Sequence, residues 1–223
     1  MTRQIFVLIT TEGQTDLRFL DNIVKSAFEA VAYECEKELS ISTFIFGTKD
    51  KEASFADYVE RKAREAITQG ATTIAVHSDA DKNSYDERLE YNFLPVFKKL
   101  ENLGEDECCK LITPIIPVRM TEAWMLADTE LLKQELGTEL SDAELGLDGD
   151  PEKMANPKER IVSAIKTAKE HSRHKSPVKD VDISELYEIL GQKLSIDKLS
   201  KLYSYRRFLD EIRSTYKSLG LLF

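Results

Sequence analysis

The chain has 223 residues, of which 42% are apolar and 32% charged, with a formal net charge of −9. These proportions describe one good-sized globular domain, or a domain with a small appendage, and exclude a low-complexity chain. Apolar runs reach only about ten residues, short of a membrane span, and the opening MTRQIFVLITTEG lacks the small-residue cleavage site of a signal peptide.

Gln4 to Thr10 predicts a buried strand, and Thr11 to Asp16 the turn after it. Leu20, Ile23, Val24, Ala27, Phe28 and Val31 then recur at helical spacing, with Thr15 or Asp16 as the expected cap. Ser40 to Phe46 predicts a second strand, closed by Gly47. Ser54 opens a helix with Phe55, Val59, Ala63 and Ile67 on one face, closed by Gly70. The run Thr72 to Val76 predicts a third strand, buried on both faces as in a parallel sheet. A helix is expected from Asp86 to Leu103. Leu111 to Val118 follows as a fourth strand, which Pro114 and Pro117 assign to an edge or an irregular position. Strands and helices alternating in this way predict βαβ units and a parallel sheet.

After Thr121 the periodicity is helical. A helix is expected over 121–136, an acidic loop over 141–157 and a helix over 158–172. A basic loop follows over 171–177, then two or three short helices over 183–219, broken at Gly191 and Ser204. The expected organisation is an α/β catalytic domain over 1–130 and a helical extension or cap over 131–223. The charge is divided unevenly. Residues 1–150 carry 16 Lys+Arg against 30 Asp+Glu, and residues 151–223 carry 15 against 10. One part is therefore −14 and the other +5, an asymmetry that points to a charged partner met by one end.

The chemistry is expected where strands end, because ligands of open α/β sheets bind outside the carboxyl ends of the strands. Glu12 follows the first strand, Asp79 and Asp81 the third, and Glu122 the fourth. Two carboxylates held about 4 Å apart repel by roughly 4 kcal/mol at an effective dielectric of 20. A divalent cation removes that penalty, and oxygen ligands suit Mg²⁺ or Mn²⁺. His77 precedes the aspartates and receives no role, and Trp124 is expected in the core. His171 and His174 have His-x-x-His spacing but no cysteine nearby, so zinc is not expected. Cys35, Cys108 and Cys109 form no Cys-x-x-Cys pair and fit idle thiols in a reducing cytoplasm. No P-loop, Gly-x-Gly-x-x-Gly or Gly-x-Ser-x-Gly motif occurs, which excludes the usual NTPase, dinucleotide and serine-hydrolase readings.

A strand ending in Glu12-Gly13-Gln14-Thr15-Asp16, followed two βα units later by a strand ending in Asp79-Ala80-Asp81, resembles the Toprim domain. That domain is shared by topoisomerases, bacterial primases, RNA-trimming ribonucleases and nucleases of phage defence linked to ABC-type ATPases. The segment Pro117 to Trp124 is similar to a family of small stand-alone Toprim-like proteins of unknown function that are associated with ATPases. The resemblance covers about residues 4–130. It implies a Toprim-like, Rossmann-type sheet of about four parallel strands and a metal-dependent nuclease. Asp79 and Asp81 would then ligate Mg²⁺ or Mn²⁺. Glu12 would complete the metal site or act as general acid/base, and Glu122 would be an extra ligand. Many Toprim sites carry a glycine soon after the second aspartate, where Lys82-Asn83-Ser84 stands here. Topoisomerase and primase are disfavoured, since 223 residues leave no room for strand-passage domains and no zinc-binding domain is present.

The expected contacts to DNA or RNA are Lys82, Lys166, Lys169, Arg173, Lys175, Lys179, Arg206 and Arg207. An ATPase partner is implied by the resemblance alone, no membrane partner is expected, and homo-oligomerisation is left open. Two rival functions compete with the nuclease. One is a nucleotide-sugar transferase with a metal-binding Asp-x-Asp, which leaves the Glu12 turn without a task. The other is a non-catalytic Toprim-like binding or regulatory subunit.

Overall fold

The computed structural model describes residues 2–49, 54–172 and 181–223. In chain order the first half runs β1 (Arg3–Thr11), α1 (Gln14–Ala32), β2 (Leu39–Thr48), α2 (Phe55–Thr68), β3 (Thr73–His77), α3 (Tyr85–Arg88), a π turn (Leu89–Phe93), α4 (Leu94–Glu101) and β4 (Ile112–Ile115). The second half is helical: α5 (Thr121–Met125), α6 (Thr129–Leu136), α7 (Asp142–Leu145), a 3₁₀ turn (Pro151–Lys153), α8 (Pro157–Ser172), α9 (Ile183–Lys193), α10 (Ile196–Leu199) and α11 (Tyr203–Ser218).

The four strands form one sheet in the order β2-β1-β3-β4, and every neighbouring pair is parallel. This is the α/β, Rossmann-like architecture expected from the sequence. β1 runs to β2 on one side while β3 and β4 extend the sheet on the other, so the direction of winding reverses between β1 and β3. A crevice opens at such a reversal, at the carboxyl ends of the strands.

Alternate residues of the strands feed two separate cores. Ile5, Val7, Ile9, Ala75 and Ile115 face one core, packed with α1 and the helices after residue 120. Leu8, Ile74, Val76 and Ile112 face the other, packed with α2, the π turn and α4. Right-handed crossovers account for this division. The first crossover leaves α1 alone on its face, and the next two place α2 and α4 together on the opposite face. The half of the α1 face beneath β3 and β4 is covered by α11, whose Thr215 Oγ1 lies 2.8 Å from Thr113 Oγ1. Phe28 of α1 meets Phe208 and Tyr216 of α11 edge-on. Residues 131–223 therefore share a core with residues 1–130. Trp124 is fully buried there, donating from Nε1 to Ser204 Oγ at 2.7 Å.

Several local expectations are corrected. α1 is capped by Gly13, not by Thr15 or Asp16, and no side chain bonds the cap. The helix expected over 86–103 is interrupted by the π turn, because Pro95 has no N–H to donate to the preceding turn. β4 is shorter than expected, but it lies at the edge its prolines predicted. The acidic stretch 141–157 includes α7, started by the Ser141–Glu144 capping box. Gly191 does not break a helix. It lies inside α9, where a Cβ would stand 2.5 Å from the carbonyl oxygen of Phe19, so glycine permits the close approach of α9 to α1. Cys35, Cys108 and Cys109 are free thiols.

Candidate metal centre

The rim between β1 and β3 carries the site. Glu12 leaves β1, and its Oε1 accepts a hydrogen bond of 2.8 Å from Ser78 Oγ. Ser78 Oγ in turn accepts one of 2.8 Å from Asn92 Nδ2. Asn92 belongs to the π turn, which thus delivers the amide that bonds Ser78 and, through it, Glu12. Asp16 stands in the first turn of α1, where the helix dipole favours a carboxylate. A Cβ on Gly13 would come within 3.0 Å of Asp16 Oδ2, so glycine leaves room for that carboxylate to fold back to the rim.

His77 ends β3 with its side chain wholly buried. Its Nε2 lies 3.0 Å from Asp79 Oδ1 and 3.1 Å from Thr121 Oγ1. Asp79 Oδ1 also accepts a 2.9 Å bond from the Thr121 backbone N–H, at the start of α5. One potential ligand atom each from Asp16, His77 and Asp79 lies within 4.8 Å of the others. Burial would lower the pKa of His77, but the carboxylates of Asp79, Asp16 and Glu12 outweigh it and hold the imidazole at about 9. Burial pushes Asp79 up to about 6, against the pull of His77, and the charges of Asp16 and Glu12 add to the rise. The pair thus shares one proton across neutral pH. Three carboxylates around one imidazole leave a surplus of negative charge for a cation to compensate.

The other expected acids are held apart from this group. Asp81 turns away in a left-handed conformation (φ 55°), and Arg88 donates to its Oδ2 at 2.6 Å. Its N–H donates to the carbonyl of Arg119, itself left-handed (φ 69°). Two non-glycine residues in this region are a strained arrangement that persists because backbone bonds and an ion pair both hold it. Glu122 is buried, accepts from the Tyr187 hydroxyl and lies 3.3 Å from Lys158 Nζ. Tyr187 lies beside Thr15 and Asp16, so α9 reaches the same rim. Burial and then Glu122 push its phenol far above the ordinary range.

Among the expected nucleic-acid contacts, Lys82 is exposed in the turn after Asp81, and Lys166 is exposed at 4.0 Å from Glu170. Lys169 is half-buried on α8. Arg206 donates to the carbonyls of Ser200 and Lys201 at 2.9 and 2.8 Å. Arg207 pairs with Asp86 at 2.9 Å and lies over the Tyr85 ring at 4.4 Å. Arg206 is exposed and Arg207 half-buried. Arg173, Lys175, Lys179 and His174 lie outside the described residues.

The sequence reading passed over His77, Asp16, Tyr187 and Lys158 as site residues. For the first two a signal existed. His77 and Asp79 are two apart at a strand end, and Asp16 falls in the first turn of the helix that leaves the same rim. Tyr187 and Lys158 reach the rim from distant helices, which no local pattern announces. Comparisons with protein-family models, curated proteins and solved structures found no match to this chain. No helix among the described residues is long and apolar enough to cross a membrane.

Proposed function

We propose that the chain is a divalent-metal-dependent nuclease of Toprim type, hydrolysing phosphodiester bonds of DNA or structured RNA in the cytoplasm. It would act as a bacterial defence or processing effector beside an ATPase. The observation that carries this reading is the convergence of Asp16, His77 and Asp79 donor atoms within 4.8 Å, beside Glu12 at the reversal of the sheet. Asp16, His77 and Asp79 are the residues that would hold Mg²⁺ or Mn²⁺, and Asp81 and Glu122 already have other partners.

Hydrolysis adds a water oxygen to phosphorus and breaks one P–O ester bond, and the departing alkoxide takes up a proton. A bound divalent ion supplies charge compensation and a readily deprotonated water. Glu12, which accepts a hydrogen bond from Ser78, would accept the proton of the attacking water. Lys158, half exposed beside Glu122, offers a positive charge to the phosphate. Lys82 and Lys166 remain candidates for backbone contacts further out.

The test is incubation of the purified chain with tRNA, single-stranded DNA and duplex DNA, with and without Mg²⁺ or Mn²⁺, alone and with an ATPase encoded beside it. Cleavage that requires metal is expected. Asp79→Asn and Glu12→Gln should each reduce it by about 100-fold or more while leaving the circular dichroism spectrum unchanged. Undiminished cleavage in either variant would sink the reading.

A second reading, a non-catalytic binding subunit, is favoured by the closed state of Asp81, which Arg88 holds away from Asp79. It predicts metal binding without cleavage of any of these substrates. The same pairing weighs against the nucleotide-sugar transferase, which needs both acids of Asp-x-Asp on one ion.

A further inference from the structure

We propose that the chain pairs with a second copy of itself through the free edge of β2, joining two four-stranded sheets into one sheet of eight across a two-fold axis beside Thr43. This pairing is independent of the chemistry at the rim.

The two edges of the sheet are unequal. β4 is four residues long, and Pro114 within it has no N–H to offer an incoming strand. Short length and proline are features that keep an edge from templating further pairing. β2 lies at the opposite edge, bonded to β1 alone, and its ten residues include no charge and no proline. The Arg3 N–H donates to the carbonyl of Glu38 at 3.0 Å. Alternate residues of a parallel ladder direct their backbone groups to the same side, so the N–H and C=O of Leu39, Ile41, Thr43 and Ile45 point away from β1. No partner for them occurs among the described residues.

The side chains beside that edge are apolar on both faces. Phe44 is 52% exposed on the α2 face, and its ring lies 6.3 Å from that of Phe6, itself 38% exposed. Ile45 is 60% exposed on the opposite face. An extended partner strand satisfies the open backbone groups and covers these side chains together.

The sequence of the strand matches itself in this role. The register between β1 and β2 shifts only after Ile9 and Ile45, so residues 41–45 run regularly. Laid antiparallel about Thr43, they put Ile45 opposite Ile41 of the partner subunit and Phe44 opposite Ser42 of the partner subunit. The two Phe44 rings then become diagonal neighbours. Each side chain keeps its face, as pairing about an axis normal to the sheet requires. No charge meets a like charge along the strand. Such an isologous contact uses both β2 edges and leaves only the two β4 edges, so assembly closes at two copies.

Sedimentation equilibrium of the intact chain should show a concentration-dependent species of twice the 25.4 kDa chain mass, with a Kd of about 10 µM or tighter. Phe44→Lys and Ile45→Lys each bring like charges together across the axis and should weaken the pair by at least about tenfold. Both side chains are exposed in the single copy, so the circular dichroism spectrum should not change. In hydrogen exchange the amides of Ile41, Thr43 and Ile45 should be slow in the concentrated wild-type chain and fast after dilution below the Kd. That comparison needs no variant. A wild-type chain that stays monomeric at about 100 µM would overturn the proposal and leave the edge to a different partner. A dimer that survives both substitutions, or exchange at those three amides that dilution does not alter, would overturn it equally.

Discussion

The two faces of the sheet are built by different means. The α2–α4 face is covered by the crossovers that join its own strands, so its core of Leu8, Ile74, Val76, Tyr58 and Phe93 is assembled from residues 8 to 116. The α1 face draws on both ends of the chain, from Ile5 to Leu221. The difference bears on the site, because the two faces supply different groups to one rim. The locally built face delivers Asn92, which orders Ser78 and Glu12. The face built from both ends delivers Tyr187 and Lys158, which both meet Glu122. The helical extension or cap expected over 131–223 thus supplies Tyr187 and Lys158 to Glu122.

The largest effect that would break this comparison is removal of residues 131–223. The α1 face beneath β3 and β4 would lose its cover, exposing Ile115, Trp124 and Phe28, and the fragment 1–130 should fail to give a dispersed amide NMR spectrum. A well-folded fragment would show that the two faces are independent. The next effect is at the contact between α1 and α9. Gly191→Ala would drive a methyl group into the Phe19 backbone, and a loss of about 1–3 kcal/mol is expected in urea unfolding. A neutral outcome would mean that α9 is free to shift.

A smaller effect concerns the rim that both faces share. His77 titrates at about 9 in the fold against 6.5 as its ordinary value, so its contribution to stability is fully present below pH 6.5 and lost as pH rises through 9. Asp79, raised to about 6, acts in the same direction at lower pH. The metal-free chain should therefore melt at progressively lower temperature from pH 6.5 to 9.5. Its affinity for Mn²⁺ should rise over the same interval, because the ion competes with the proton. A flat melting profile would remove His77 from the ionised network.

Much of the fold could be read from local pattern. The apolar runs of β1, β2 and β3 lie within a few residues of their observed bounds, and Ser54 caps α2 as its position predicted. The cap of α1 is Gly13, one of the residue types that start helices, and no side chain bonds it, so the hydroxyl or carboxylate expected from Thr15 or Asp16 has no part in it. Of the site, Glu12 and Asp79 were legible from their place after strands. The turning of Asp81 was not, since it depends on Arg88 seven residues later and on Arg119 across the sheet. Glu122 follows β4 as expected, but its partners Tyr187 and Lys158 come from helices whose packing no spacing encodes.

The π turn places an adjustable joint beside the candidate centre. Each residue of a helix rotates its successors by about 100°, so deleting one position between Leu89 and Phe93 would swing Asn92 away from Ser78 without disturbing β3. The hold on Glu12 thus depends on the length of a single segment that touches neither Asp16 nor Asp79.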